Sequence, residues 1–70
     1  MMSFVCDYAT ISPVILEFRI IDVFGLPAYI EDIDEDRFAI NIYGNSDPEK
    51  REAIVEFLNP YLYVDIEYVM

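Results

Sequence analysis

Histidine and tryptophan are absent from this 70-residue chain, which also has a single cysteine and two glycines. Without histidine, the Ser/His and Cys/His pairs of nucleophilic catalysis and the common zinc sites cannot be assembled within the chain. A phosphate-binding loop needs several glycines within a few residues, but Gly25 and Gly44 lie far apart. These absences argue against catalysis, and we expect no enzyme activity, cofactor or bound metal.

Long apolar runs and targeting signals are missing as well. A membrane-spanning helix needs about 18 or more consecutive apolar residues, and a signal peptide needs a basic segment before its apolar core; the chain has neither. The lone Cys6 cannot form an internal disulfide, which excludes a small secreted scaffold held by disulfides. We therefore expect a cytoplasmic protein, with Cys6 as a buried, unreactive thiol.

Basic residues are also few. Four Lys and Arg stand against fourteen Asp and Glu, which gives a net charge of −10, yet 56% of the residues are hydrophobic. Such an apolar chain is expected to fold rather than remain disordered, as one domain spanning residues 1–70 with a packed interior and a negative exterior. That exterior repels nucleic acids and anionic membranes and attracts basic proteins, so the expected partner is a basic protein.

Apolar residues at a spacing of two predict that most of the chain forms strands. The predicted strands span residues 2–8, 14–23, 28–33, 37–43 and 61–69. In the second of these strands the polar residues change face at Asp22, near which we expect the strand to bend, bulge or end. One helix is predicted from residue 46 or 47 to residue 58, because Ser46 and Glu49 have the spacing of a capping box and Asp47 precedes a proline.

These elements predict an α+β fold with a four- or five-stranded, mostly antiparallel sheet and one helix on one face, in the order β-β-β-β-α-β. A single short helix leaves the second face of the sheet uncovered. The helical connection also allows the last strand to run parallel to the strand before the helix.

An acidic hairpin tip is the most unusual feature of the sequence. Its carboxylates are Glu31, Asp32, Asp34, Glu35 and Asp36. Three aspartates share the spacing that begins a calcium loop, but Arg37 replaces the required glycine and Tyr43 the final glutamate ligand. We interpret the tip as a solvated turn or as a contact surface for a cationic partner.

Other residues predicted to bind a partner lie on the helix and the last strand. They are Glu49, Glu52, Glu56, Tyr61, Tyr63, Asp65 and Glu67. The helix carboxylates follow one another at roughly 5 to 6 Å along the axis, the same order as the about 3.4 Å between phosphates of one DNA strand. The tyrosines share a predicted sheet face with the last two acids, and tyrosine is enriched in protein interfaces.

Two hypotheses follow. The first is a non-catalytic acidic protein that inhibits a nucleic-acid-binding protein by presenting a surface that mimics DNA or RNA. In size, charge and lack of catalytic side chains, the chain resembles phage-encoded inhibitors of host defence, the anti-CRISPR and DNA-mimic proteins, in general character rather than in a shared motif. That resemblance implies competition for the Lys and Arg side chains that hold phosphate, in the host cytoplasm. The second hypothesis is an interaction subunit or antitoxin-like protein that binds through an exposed sheet face or edge strand; a homodimer is compatible with either.

Overall fold

The computed structural model describes residues 1–44 and 47–63. Within them, strands and helices follow in the order β1 Met2–Asp7, α1 Pro13–Phe24, β2 Ala28–Asp32, β3 Arg37–Ile42 and α2 Pro48–Leu58, with a 3-10 turn at Asn59–Tyr61. The predicted α+β class and its antiparallel sheet are confirmed. The number of elements differs, because the described residues form three strands and two α-helices.

Helix α1 replaces the longest predicted strand, residues 14–23. Ser12 is its N-cap and Pro13 its first residue, a position where proline needs no hydrogen-bond partner. Gly25 ends the helix in the left-handed conformation (φ 67°), and its N–H donates to the carbonyl of Ile21. These signals at both ends of the segment define a helix.

The prediction failed because α1 is apolar on almost every side. Leu16 and Ile20, one helical turn apart, are completely buried, but the apolar residues between and around them satisfy a spacing of two equally well. Asp22 therefore lies inside a helix, and the bulge predicted there is wrong.

The three strands form one antiparallel sheet in the order β1-β3-β2. Phe4 of β1 and Ile30 of β2 both lie opposite Ile40 of the central strand β3, and Cys6 lies opposite Phe38. The first predicted strand is thus confirmed as β1, and the predicted hairpin around the acidic tip is confirmed as the β2–β3 pair.

After α2 the chain reaches the outer edge of β1. Tyr61 belongs to the 3-10 turn rather than to a strand, whereas Leu62 forms an antiparallel bridge with Cys6. Because β3 and Leu62 are both antiparallel to β1, the chain at Leu62 runs in the same direction as β3. Helix α1 connects β1 to β2, and β3 lies between these two strands in the sheet. A β-α-β unit with another strand inserted between its two strands is called a split β-α-β arrangement. The rest of the predicted last strand, with Asp65 and Glu67, lies outside the described residues.

Both helices cover the same face of the sheet. One cluster holds the buried side chains Cys6, Leu16, Ile20, Ala28, Phe38, Ile40, Ile42, Ile54 and Leu58. The strand members of this cluster alternate along their strands, so they define a single inner face. The opposite face, which carries exposed Val5 and Tyr29, is not covered by either helix.

Helix α2 begins close to its predicted start. The Asp47 carboxylate accepts a hydrogen bond from the N–H of Glu49 at 3.0 Å, which confirms an aspartate cap followed by proline; Ser46 lies outside the described residues. Ile54 and Leu58 are buried, and Ala53 is exposed. No helix among residues 1–44 and 47–63 is long and apolar enough to cross a membrane.

Candidate functional site

The acidic tip (residues 31–36) is a closed loop in which every residue is exposed. The N–H groups of Ile33 and Asp34 both donate to the carbonyl of Arg37, at 3.3 and 3.2 Å. The Asp34 Oδ1 atom accepts from the N–H groups of Asp36 and Arg37, each at 2.9 Å. This side chain therefore stabilises the turn as a backbone group would.

The second oxygen of Asp34 holds the side chain of Arg37. Oδ2 accepts from Nε at 2.9 Å and from Nη2 at 2.6 Å, and both side chains stay about 40% exposed (40% and 42%). The hydrogen bond from Arg37 is the largest cause of a lowered Asp34 pKa, and Asp34 in turn raises the pKa of the guanidinium. Asp34 thus holds the tip in shape. The tip carboxylates that accept no hydrogen bond from the described part of the chain are those of Glu31, Glu35 and Asp36.

Tyr8 connects the tip to the core. Its hydroxyl donates a hydrogen bond to the carboxylate of Asp32, its N–H donates to the carbonyl of Asp36 at 3.1 Å, and its ring lies 5.0 Å from that of Phe38. The pKa of Tyr8 is raised, chiefly because this hydrogen bond stabilises the neutral phenol. Tyr8, Asp32, Asp34 and Glu35 line a shallow depression of about 410 Å³. Tyr8 was not predicted as part of this site, since only the register of β1 against β3 brings it to the tip.

The two predicted tyrosines have different surroundings. The Arg37 guanidinium lies over the ring of Tyr63, 5.4 Å from its centroid, so Tyr63 adjoins the acidic tip through a cation–π contact. Tyr61 is half-buried, with its ring 6.3 Å from that of Phe57, and its carbonyl accepts from Thr10 Oγ1 at 3.3 Å. Tyr61 therefore contributes mainly to packing.

The helix acids form a separate row. Glu49, Glu52 and Glu56 are all exposed. Helix α2 begins at the end of the sheet opposite the tip, because β3 leads away from the tip, and it returns towards the tip, because Leu62 bridges to Cys6. Glu49 is thus the member farthest from the tip. The tip acids thus lie together in one loop, and the helix acids lie on a different element, α2.

Chemically, the tip offers carboxylates to a cationic group. Among the described residues, no three His, Cys, Asp or Glu side chains are placed to hold a metal ion. Cys6 is fully buried, and burial raises its pKa to about 11, which keeps the thiol protonated and unreactive at neutral pH.

Two apolar surfaces are also exposed. The open sheet face carries Val5, Tyr29 and Tyr43, and the two tyrosine rings meet edge to face at 5.5 Å. The other surface is the side of α1 turned away from the sheet, which we call the α1 outer surface. Its large apolar side chains are Val14, Ile15, Phe18 and Ile21. This surface was not predicted, because the spacing of these residues indicated a strand.

No known protein-family model, curated protein or solved structure matches this chain.

Proposed function

We propose that this chain is a non-catalytic acidic binding protein that inhibits a nucleic-acid-binding protein. Its carboxylates take the positions of nucleic-acid phosphates on a basic protein surface. The observation that carries the proposal is the acidic tip, where exposed carboxylates project from a loop that Asp34 and Arg37 hold closed.

A loop that is already ordered favours this function on energetic grounds. Ordering a flexible acidic segment on binding costs conformational entropy, and a preformed loop avoids that cost. Glu35 and Asp36 are exposed, with carboxylates that no described residue engages in a hydrogen bond. They can accept charge-assisted hydrogen bonds from Lys and Arg, the side chains that also contact phosphate.

The charge of the whole chain supports the same partner. A net charge of −10 steers basic proteins towards the molecule and repels nucleic acids and anionic membranes. Glu49, Glu52 and Glu56 add a second negative row on α2. An inhibitor of this kind fits the phage anti-defence proteins that the chain resembles in general character, with a host cytoplasmic protein as its target.

Neutralising two tip carboxylates tests the proposal. The tagged wild-type chain is used to capture proteins from host lysate at low and at high salt, and bound proteins are then challenged with DNA or RNA. We expect a nucleic-acid-binding protein that is lost at high salt and displaced by nucleic acid. The E35Q/D36N variant should capture much less of it, whereas E17Q/D22N, which removes the same charge from α1, should capture it normally.

Asp32 and Asp34 are left unchanged in this experiment because Asp32 holds Tyr8 and Asp34 holds the turn. Capture that survives high salt, or that E35Q/D36N leaves intact, would contradict the proposal. Equal loss of capture in both double variants would indicate a response to net charge alone and would also contradict a role for the tip.

An interaction subunit or antitoxin-like protein is the second candidate function, and the open sheet face favours it. Tyr29 is 59% exposed and its ring contacts that of the exposed Tyr43, and tyrosine is enriched in protein interfaces. Under this alternative, capture persists at high salt and is lost in the variant with Tyr29→Ser and Tyr43→Ser. Tyr61 is unsuitable for the test because its ring packs against Phe57.

A further inference from the structure

The α1 outer surface is the largest group of exposed apolar side chains on one described element. Phe18 is 67% exposed and projects away from Leu16 and Ile20, which are fully buried. Val14, Ile15 and Ile21 flank it and are 58%, 50% and 44% exposed. A surface helix normally confines its apolar residues to the stripe facing the core, and contiguous exposed patches mark interaction sites.

This surface is also nearly neutral. Helix α1 carries Glu17, Arg19 and Asp22, a net charge of −1, which leaves −9 for the rest of the chain. Two copies of this protein repel each other over most of their surfaces, and the repulsion is smallest where α1 faces α1. A strongly basic partner, in contrast, has little to gain from this surface compared with the acidic tip.

The charges on α1 are arranged for pairing with a second copy. Arg19 and Asp22 are exposed on the same flank of the helix, and neither forms an ion pair within the described residues. With Ile15 and Phe18 they line a shallow depression of about 380 Å³. In an antiparallel helix pair related by a two-fold axis, the same flanks of both helices lie side by side. Arg19 of each copy then faces Asp22 of the other.

We infer that a second copy of this chain covers the α1 outer surface, through an antiparallel α1–α1 contact whose two-fold axis passes between positions 20 and 21, midway between Arg19 and Asp22. Phe18 lies about 4 Å along the helix from this axis and packs against Ile21 of the other copy, and two Arg19–Asp22 pairs lie along one flank of the contact. The 12-residue helix is about 18 Å long and offers less than the about 800 Å² per partner of a standard interface. The dimer therefore dissociates on dilution. It does not use the acidic tip and is independent of the proposed function.

Sedimentation equilibrium of the untagged full chain over a wide concentration range tests the inference. The wild-type mass should rise from one chain to two chains and no further. Phe18→Gln should weaken the dimer at least about tenfold, because an aromatic side chain at the centre of an interface carries much of the binding energy. The matched control is Val55→Gln, which replaces a residue that is 43% exposed on α2 and should leave the dimer unchanged.

Circular dichroism checks that both variants remain folded. A wild-type chain that stays monomeric at its highest soluble concentration overturns the inference, and so does a folded Phe18→Gln chain that dimerises as tightly as wild type. Both outcomes leave the proposed function untouched, since E35Q/D36N is expected to dimerise normally.

A charge exchange tests the two-fold geometry. Arg19→Asp places two acids on the flank of each copy, and Asp22→Arg places two arginines there, so each variant should self-associate more weakly than wild type. In an equimolar mixture, position 19 of each variant faces position 22 of the other, and the two side chains carry opposite charges at both contacts. We therefore expect a heterodimer that is tighter than either homodimer. A mixture that associates no more tightly than the separate variants contradicts the antiparallel arrangement.

Discussion

At the scale of single residues, neighbouring carboxylates of the acidic tip have different roles. Asp34 accepts hydrogen bonds from two backbone N–H groups and from Arg37, and Asp32 accepts one from Tyr8. Glu35, between Asp34 and Asp36, accepts none from any described residue. The number of acids in a loop therefore overstates the number available to a partner, because some of them hold the loop in shape.

The role of Asp34 predicts a pH-dependent effect of Asp34→Asn on stability. The folded-state pKa of Asp34 lies below its ordinary value of 3.8, so the ionised carboxylate stabilises the fold above that value, and this contribution is lost as the pH falls through the folded-state pKa. Asp34→Asn should lower the urea midpoint at neutral pH, and its difference from wild type should shrink in acid. Urea unfolding across this pH range measures the effect.

Glu35→Gln is the control for that measurement. It removes one negative charge from the same loop without breaking a described hydrogen bond, and we expect a midpoint equal to or slightly above that of wild type, because repulsion in the loop falls. An Asp34→Asn midpoint that matches wild type at neutral pH would show that the negative charge of Asp34 contributes nothing to folding.

At the scale of elements, α1 shows how an apolar segment becomes a helix. Its length of 12 residues, its first-turn Pro13 and its terminal Gly25 are helix signals, whereas its β-branched and aromatic content is typical of a strand. Packing decides between them, since the helix buries Leu16 and Ile20 against the sheet in one cluster with Ile54 of α2. The cost is that the opposite side of the helix remains apolar and exposed.

Two adjacent isoleucines in α1 test this orientation. Ile20 is fully buried and Ile21 is 44% exposed. Ile20→Ala should lower the free energy of unfolding by about 2 to 5 kcal/mol, the range for isoleucine-to-alanine changes in cores. Ile21→Ala should lower it by about 1 kcal/mol or less, as surface changes do. Urea unfolding in the Phe18→Gln background removes any contribution from self-association, and equal losses at the two positions would contradict the burial of Ile20 in the core.

At the scale of the whole molecule, apolar and acidic residues are separated. Ten hydrophobic side chains are buried, and no polar or charged residue is buried among the described residues. Most of the charged side chains behind the net charge of −10 therefore lie on the solvated exterior. Repulsion between these like charges opposes the compact state.

This distribution predicts that monovalent salt stabilises the fold. At 0.1 M salt the screening length is about 10 Å, shorter than the extents of the molecule, 35 × 24 × 17 Å. The thermal midpoint of wild type should rise with added sodium chloride. Potassium chloride should have the same effect, since screening does not depend on the identity of the cation, and a falling midpoint would contradict net repulsion.

Much of the fold could be predicted from local signals. Strand β1, the β2–β3 hairpin and α2 all follow from alternation, turn residues and the aspartate cap before Pro48. The acidic tip was also identified from sequence, because so many adjacent charges cannot enter a core. The α1 helix could not be predicted from the spacing of its apolar residues, since they fit both the strand spacing of two and the helix spacing of three to four.

The sequence by itself determined the α+β class, an apolar interior, an antiparallel hairpin and a strongly negative exterior, because these depend on composition and local pattern. Only the tertiary structure decided which groups meet. It placed Tyr8 against Asp32 and Arg37 over Tyr63, and it left one side of α1 uncovered. These contacts join residues that are far apart in the chain, so their physical cause is the pairing of β1 with β3 and the packing of both helices on one face, which no local pattern specifies.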